Sequence, residues 1–313
     1  MAGKIKTVGI AGSGLIGSGW AARCLAHGYD VIAQDPNPAA EATLRATVER
    51  VRPLLEKAYG DAAKRWGTLR FTTDLAALAE TDFVQECAPE REELKIDLFG
   101  TLSAVAGKNT IIASSTSRFV PSLLQTKCKA PERFLVGHPF HPVYLMPLVE
   151  VVAGPDTSSA VVDATMEFYR AISMQPLLLK REIEGFIGNR LQAALWKEAV
   201  HCFATDVAGT KEIDDALVHS IGMRWAFMGT FMTYHLAGGP TGMRGFVKHF
   251  PKAIADAAVG TSPEELGARL IEECEGQMGG RSMAEIQAKR DALLADLLLV
   301  FKRHGVGAGA TSL

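Results

Sequence analysis

His138 and Glu150 have the side-chain types and the spacing of a proton acceptor and the carboxylate that orients it. His138 directly follows the apolar run Phe134–Gly137, and Glu150 lies within a second apolar run, Leu148–Val152. An imidazole titrates near neutral pH and can take a proton from a substrate hydroxyl, and a carboxylate on its other nitrogen would set the tautomer. Because the two short apolar runs predict neighbouring strands, the pair is a candidate for general-base chemistry.

A glycine-rich stretch near the beginning of the sequence predicts a site for nucleotide phosphates. The apolar run Thr7–Ala11 leads into a Gly-x-Gly-x-x-Gly pattern, and a helical pattern follows as far as His27. A second apolar run then ends at an acidic residue, so the order is strand, tight turn, helix and strand, as in dinucleotide-binding sites. The phosphates would lie on the amides that begin the helix, which makes the turn residues candidate cofactor ligands: Gly12, Gly14, Leu15, Ile16 and Gly17.

Asp35, at the end of the second strand, indicates which dinucleotide is preferred. A carboxylate there would accept hydrogen bonds from a ribose diol and would repel a 2′-phosphate. The following residues, Pro36–Pro38, contain no arginine that would hold such a phosphate. The sequence therefore predicts NAD as the cofactor, in preference to NADP.

The same polar residues permit two other interpretations. Ser117, His138 and Glu150 have the residue types of a hydrolase triad, but no Gly-x-Ser-x-Gly elbow accompanies them. His138, His141 and Glu150 could bind a metal ion, but the two histidines lie on a proline-bounded turn and not on a rigid helix. We therefore predict neither a hydrolase nor a metal site.

Alternating strand and helix patterns predict how these residues are positioned. Short apolar runs alternate with helical stretches as far as Leu179, which favours a parallel sheet with helices on both faces. In such sheets ligands bind at the carboxyl ends of the strands, which here are followed by Glu86–Glu90, Ser114–Ser117 and His138–Pro142. The predicted fold class is α/β, with a Rossmann-type doubly wound sheet domain.

From Gly185 onward only helical patterns remain. We predict a dinucleotide-binding domain at 1–184 and an all-α domain at 185–313. Among its predicted helices are Lys211–Ile221, Trp225–Leu236 and Met243–Val259. Long apolar faces on these helices favour packing against a second copy, so a homodimer through the helical domain is expected.

Composition limits the possible partners. The 313 residues are 48% hydrophobic with a formal net charge of −2, and no lysine or arginine run indicates nucleic-acid or membrane binding. No apolar run is long enough to span a bilayer, and Met1–Lys4 shows no signal-peptide pattern, so a cytoplasmic protein is expected. The five cysteines form no Cys-x-x-Cys pair, which favours reduced thiols. A small-molecule substrate is the predicted partner.

Several motifs together resemble the 3-hydroxyacyl-CoA dehydrogenase family. They occur in the family order, and they are Gly12–Gly17, Glu86–Glu90 with Lys95, Ser114–Ser117, Gly137–Phe140 with Leu148–Glu150, and Gly185–Arg190. The resemblance implies that His138 is the catalytic base with Glu150 as its partner, and that Ser117 and Asn189 hold the reacting oxygen and the substrate. It also implies that further residues lie along the cofactor: Ala88, Glu90, Lys95, Ser115 and Ser117.

The sequence departs from the family pattern at one position beside the base. Where the family usually has an asparagine after His-x-Phe, this chain has His141. Any contact of the asparagine amide is therefore lost, and a second titratable ring follows the base.

Within the family, His138–Glu150 and Gly222–Gly229 are most similar to the branch that oxidises L-carnitine, and the second stretch is also similar to the L-gulonate branch. A trimethylammonium group is held by aromatic faces, and a substrate carboxylate needs a cation. The candidate substrate-binding residues are Ser117, His138, Phe140, Phe186, Asn189, Trp196, Arg224, Trp225 and Phe231. L-Gulonate, a 3-hydroxyacyl-CoA and a non-catalytic NAD-binding role remain as alternatives.

Overall fold

The computed structural model describes residues 5–304. Two compact units divide the chain, and the boundary between them falls between Ala194 and Leu195. None of the described helices combines the length and apolarity that crossing a bilayer requires.

The first unit is built on an eight-stranded sheet. The strands are short apolar runs, most of them buried on both faces, as in a sheet covered by helices. In chain order they are β1 (Thr7–Ala11), β2 (Asp30–Gln34), β3 (Leu69–Thr72), β4 (Phe83–Glu86), β5 (Ile111–Ser114), β6 (Phe134–Pro139), β7 (Leu148–Ala153) and β8 (Gln175–Leu178). Their order across the sheet is β3-β2-β1-β4-β5-β6-β7-β8.

The expectation of a parallel sheet is correct for β1 to β6 and wrong for β7. β7 pairs antiparallel with β6, and β8 then runs parallel to β7. The connection between β6 and β7, residues 140–147, is too short for the crossover that a parallel neighbour needs. This reversal has a chemical consequence, because it places His138 and Glu150 directly opposite each other in the register.

Helices cover both faces of the sheet. The helices assigned wholly or partly to the first unit are α1 (Leu15–Ala26), α2 (Ala40–Tyr59), α3 (Glu92–Val105), α4 (Pro121–Leu124), α5 (Ser159–Ala171) and α6 (Gly188–Ala204). Buried side chains from α1, α2 and α5 form one apolar layer, and those from α3 and α4 form the second. α6 begins in the first unit and ends in the second.

The second unit is helical, as predicted, but all three helices named above have other bounds, and the one predicted over Lys211–Ile221 ends at Val218. Its helices are α7 (Thr210–Val218), α8 (Ile221–Trp225), α9 (Thr230–Ala237), α10 (Met243–His249), α11 (Pro251–Ala257), α12 (Pro263–Met278) and α13 (Met283–His304). The single helix predicted over Met243–Val259 is wrong, because Pro251 cannot continue a helix and instead begins a new one. Trp225 ends α8 and does not begin a helix as predicted.

Gly17 is the position in the β1–α1 turn with the least room. A Cβ there would lie 1.9 Å from the Gly12 carbonyl oxygen, whereas a Cβ at Gly14 would have nothing within 4 Å. We therefore expect Gly17→Ala to lower the free energy of unfolding by about 2–3 kcal/mol, in the range for overpacked sites. Gly14→Ala is the matched control and should change it by about 0.5 kcal/mol or less. Chemical denaturation of both variants measures this, and equal losses would contradict the packing argument.

Candidate active site

A cleft of about 500 Å³ lies where β1, β4, β5 and β6 end. The register aligns these ends, since Ala11 pairs with Glu86 and Glu86 pairs with Ser114. Ten of the predicted cofactor residues line the cleft: Gly12, Gly14, Leu15, Ile16, Asp35, Ala88, Glu90, Lys95, Ser115 and Ser117. Gly17 does not line it, because it packs beneath the turn against Gly12.

The geometry of the β1–α1 turn fits a dinucleotide. Gly12 has a φ of +102°, a left-handed conformation that favours glycine, and its N–H donates to the Gln34 carbonyl at 2.7 Å. The space beside Gly14 is open, so a phosphate has room at the first amides of α1. One oxygen of Asp35 accepts from the Ser13 amide at 2.8 Å, which holds this carboxylate beside the turn.

His138 and Glu150 form a buried pair at the inner end of the cleft. The Nδ1 atom of His138 lies 2.8 Å from Oε2 of Glu150, and His138 also lines the cleft. The other Glu150 oxygen accepts from the backbone amides of Ile187 and Gly188, at 2.8 and 2.9 Å. Because Nδ1 is engaged with the carboxylate, Nε2 is the ring nitrogen that remains for a substrate.

Two opposing effects set the pKa of Glu150. Burial raises it, but the hydrogen bonds from His138 and from the Gly188 and Ile187 amides outweigh burial, so the pKa lies below its usual value. The pair is therefore arranged to keep the carboxylate ionised.

This shift predicts how stability depends on pH. Because the pKa of Glu150 is lower in the folded than in the unfolded chain, its contribution is fully present above the ordinary value of 4.5. That contribution is lost as the pH falls through the folded-state pKa. We expect the difference in free energy of unfolding between the wild type and Glu150→Gln to be largest above pH 4.5 and to shrink below it. Chemical denaturation over this pH range measures the difference, and a constant difference at every pH would contradict the assignment.

A second buried ion pair supports the strand ends beside the cleft. Lys95 Nζ donates to Glu86 Oε1 at 2.6 Å and to the Ala88 carbonyl at 3.0 Å. The other Glu86 oxygen accepts from the Ser114 hydroxyl at 2.6 Å, so this carboxylate joins β4 to β5. Glu86 was not predicted as a site residue, although its place at the end of β4 was a usable signal.

Ser117 and Asn189 lie together beside the cleft. The Ser117 amide donates to Glu90 Oε1 at 3.0 Å, and Asn189 Nδ2 donates to the Ser117 carbonyl at 3.1 Å. Asn189 also lines a neighbouring cavity of about 310 Å³, with Arg118 and Arg190 among its other residues. The structure thus brings together all four predicted catalytic residues in the first unit.

The other predicted substrate-binding residues fall into two groups. In the first unit, the rings of Phe140 and Phe186 have centroids 4.9 and 5.4 Å from that of His138, and neither lines the cleft. Phe186 is fully buried. The other four predicted residues belong to the second unit: Trp196, Arg224, Trp225 and Phe231.

Two residues of that second group have features relevant to a ligand. The Trp196 side chain is 71% exposed. The Nε atom of Arg224 is buried and has no hydrogen-bond partner within residues 5–304.

His141, the residue that departs from the family pattern, is exposed and does not line the cleft. The five cysteines are free, and Cys87, which was not predicted, lines the cleft with Pro89 and Pro139. Burial raises the pKa of the Cys87 thiol. Across the described residues, no group of three or more His, Cys, Asp or Glu side chains could hold a metal ion.

The fold and cleft define a class of protein, a dinucleotide-dependent oxidoreductase. The model of the NAD-binding domain of 3-hydroxyacyl-CoA dehydrogenase matches residues 7–183, and that of the C-terminal domain matches residues 185–277. The chain therefore belongs to the 3-hydroxyacyl-CoA dehydrogenase family. It is an NAD-dependent 3-hydroxy acid dehydrogenase.

The chain is similar to curated relatives over nearly its whole length. It is 47% identical to an L-carnitine dehydrogenase of Pseudomonas aeruginosa, covering 96% of this chain and 97% of the relative. It is 43% identical to an L-carnitine dehydrogenase of Bacillus cereus, covering 97% and 95%. A solved structure described as an NAD⁺-dependent dismutase, 5-formyl-3-hydroxy-2-methylpyridine 4-carboxylic acid 5-dehydrogenase, is 28% identical with a TM-score of 0.74, covering 94% of this chain and 98% of that one.

Proposed function

We propose that the chain oxidises the 3-hydroxyl of L-carnitine to 3-dehydrocarnitine with NAD. The observation that carries the proposal is the 2.8 Å contact between His138 and Glu150 at a cleft whose remaining residues fit a dinucleotide. The substrate follows from the relatives, since two L-carnitine dehydrogenases are 43–47% identical to this chain over nearly its full length.

His138 acts as the base in the proposed reaction. Bound NAD supplies the acceptor for the hydride that leaves C3. Nε2 of His138 takes the proton of the substrate hydroxyl as the carbon–oxygen double bond forms. Glu150, held by two backbone amides, stabilises the resulting imidazolium through Nδ1.

Ser117 and Asn189 orient the reacting oxygen in this proposal. Two observations support this role: Asn189 Nδ2 donates to the Ser117 backbone carbonyl at 3.1 Å, and Ser117 lines the same cleft as His138. Oriented polar groups of this kind favour the geometry in which proton and hydride leave together.

The substrate has two charged ends that need partners of different chemistry. For the trimethylammonium group, which donates no hydrogen bond, we propose the faces of aromatic side chains. The candidates are Phe140, Trp196, Trp225 and Phe231, whereas the predicted Phe186 is fully buried and has no free face for a ligand. For the carboxylate we propose Arg224, because its buried Nε has no hydrogen-bond partner in the described chain and would gain one from an anion.

We also propose a homodimer through the second unit and a cytoplasmic location. Large apolar side chains are exposed on that unit, among them Phe203, Val207 and Phe231. The five free cysteines suit a reducing compartment. Light scattering of the purified protein tests the dimer, because a monomer at micromolar concentration would contradict it.

NADH formation with separate substrates tests the proposed function. The purified protein is supplied with NAD and with L-carnitine, D-carnitine, L-gulonate or 3-hydroxybutyryl-CoA, and the series is repeated with NADP. We expect turnover of L-carnitine with NAD. Turnover only of L-gulonate or of the acyl-CoA would keep the base and the cofactor site but reject the proposed substrate. Binding of NADH without turnover of any of them would favour a non-catalytic role.

A further inference from the structure

Arg23 is a fully buried cation that the proposed reaction does not use. It lies in the last turn of α1 and is 0% exposed. Among the ion pairs of residues 5–304, none gives Arg23 an acidic partner. Burying an unpaired charge is costly, so its hydrogen bonds must be strong and complete for the fold to keep it.

The partners of Arg23 are four backbone carbonyls on two segments distant in sequence. Nε donates to Val143 at 2.8 Å, and Nη2 donates to Met146 at 3.0 Å. Nη1 donates to Ile172 and Ser173, at 3.1 and 3.0 Å. The last two carbonyls lie just past the end of α5, where a cation is also favoured by the helix dipole.

Two of these carbonyls belong to residues 140–147, which join β6 to β7 and hence His138 to Glu150. The same connection has two other contacts with neighbouring helices. A Cβ at Gly19 of α1 would lie 2.9 Å from Val143, and the Tyr59 hydroxyl donates to the Tyr144 carbonyl at 2.7 Å. Residues 140–147 are therefore held against α1 by directed hydrogen bonds as well as by packing.

The opposite end of α1 carries the glycine turn of the cofactor cleft. Leu15, its first residue, lines the cleft, as does His138 at the end of β6. The helix α1 therefore contacts two parts of the site. Its first turn borders the place where the dinucleotide phosphates would lie, and its last turn holds residues 140–147, which join the paired strands of His138 and Glu150. In enzymes generally, misplacing a reacting group by about 1 Å can lower the rate about 10²-fold.

We infer that Arg23 is a positioning residue, which fixes residues 140–147, and through them the His138–Glu150 pair, to the helix that begins at the dinucleotide turn. The expected effect on kcat rests on the proposed function. The hydrogen bonds from Arg23 to residues 140–147, which we call the tether, are a property of the fold and do not depend on that function.

Arg23→Met tests the inference, because it keeps much of the apolar stem and removes all four hydrogen bonds. We expect kcat to fall by about tenfold or more, because the base is misplaced. The dissociation constant for NADH should change by less than about threefold, since the turn residues are untouched. Arg23→Lys keeps the charge and part of the hydrogen bonding, so it should restore much of the lost kcat.

Arg133→Met is the matched control. Arg133 is partly buried and donates to two carbonyls, those of Gly107 and Thr110, with Glu132 3.8 Å from its Nε, but it precedes β6 at the edge of the sheet opposite the cleft. The Arg133→Met protein should also lose stability, but its kcat should stay within about twofold of the wild type. Equal losses of kcat in the two methionine variants would show that Arg23 acts only through stability and would overturn the inference.

Hydrogen exchange separates this inference from the proposed function, because it needs no substrate. Amides of residues 140–147 should exchange faster in Arg23→Met and at the wild-type rate in Arg133→Met. If the wild type oxidises none of the substrates, the proposed function fails while the exchange result still decides the tether. If Arg23→Met does not fold, Arg23→Gln replaces it, because a glutamine is too short to keep the four hydrogen bonds, and unchanged exchange of residues 140–147 in that variant would overturn the tether.

Discussion

His138→Ala should lower kcat for L-carnitine oxidation by about 10²–10⁴-fold, the usual contribution of a general base. The reason is geometric, since Nδ1 is occupied by Glu150 at 2.8 Å and Nε2 is the nitrogen left to accept the proton. The dissociation constant for NADH should stay within a few-fold of the wild type, because the turn and Asp35 that fit the cofactor are unchanged. Steady-state kinetics and fluorescence titration with NADH measure the two quantities.

The chain offers a matched control for this variant three residues further on. His141 is exposed, does not line the cleft and has the same side chain, so His141→Ala should keep kcat within about twofold. A His138→Ala protein that retains a tenth or more of the wild-type kcat would exclude His138 as the base. A large loss in His141→Ala alone would transfer the role to the residue that departs from the family pattern.

Residues at strand ends could be predicted from the sequence because apolar runs and turns are local signals. The predicted strand Thr7–Ala11 has the same bounds in the structure, and the strand predicted over Leu148–Val152 is one residue longer there. Parallel strands present their carboxyl ends at one edge, so correct strand ends were enough to collect the cofactor residues in one cleft.

Features that depend on distant parts of the chain could not be predicted in this way. Arg23 lies 120 residues from Val143, and a cation within a helical pattern is ordinarily expected to face solvent. Nothing local indicates that four carbonyls bury it. The direction of β7 was only partly predictable. The connection after His138 is too short for a parallel crossover, but the alternation of strands and helices does not by itself reveal an antiparallel strand.

The predicted aromatic residues could serve either of two roles, a site for the trimethylammonium group or an apolar subunit interface, and sequence patterns do not distinguish the two. Trp196, Trp225 and Phe231 are exposed side chains of the second unit, and helical spacing gives the same pattern for a ligand site as for a subunit interface. Substrate kinetics of single aromatic variants can separate the two roles, because a lost cation site raises KM for L-carnitine and leaves the oligomeric state unchanged.

Lys95→Met should lower the free energy of unfolding by about 3–5 kcal/mol, the range for breaking a buried ion pair. Lys95 is 1% exposed and Glu86 is 0% exposed, and the variant leaves the Glu86 carboxylate buried without its cation. The hydrogen bonds from Ser114 and from the Ala88 amide remain, but they cannot replace a full charge.

The double variant Glu86→Gln/Lys95→Met distinguishes this charge effect from lost packing. A neutral glutamine can accept from the Ala88 amide through its single oxygen, and its NH2 group can donate to the Ser114 hydroxyl oxygen instead of accepting from it. Removing both charges should therefore recover all but about 1–2 kcal/mol of the wild-type stability. Urea denaturation of the wild type, the single variant and the double variant gives the three free energies. If the double variant is as unstable as Lys95→Met, the ammonium acts through its packing and not through its charge. If it recovers, the buried charges of Glu86 and Lys95 at the end of β4 are needed mainly to neutralise each other, with the partly exposed Glu90, 3.4 Å from the ammonium, as a weaker second partner.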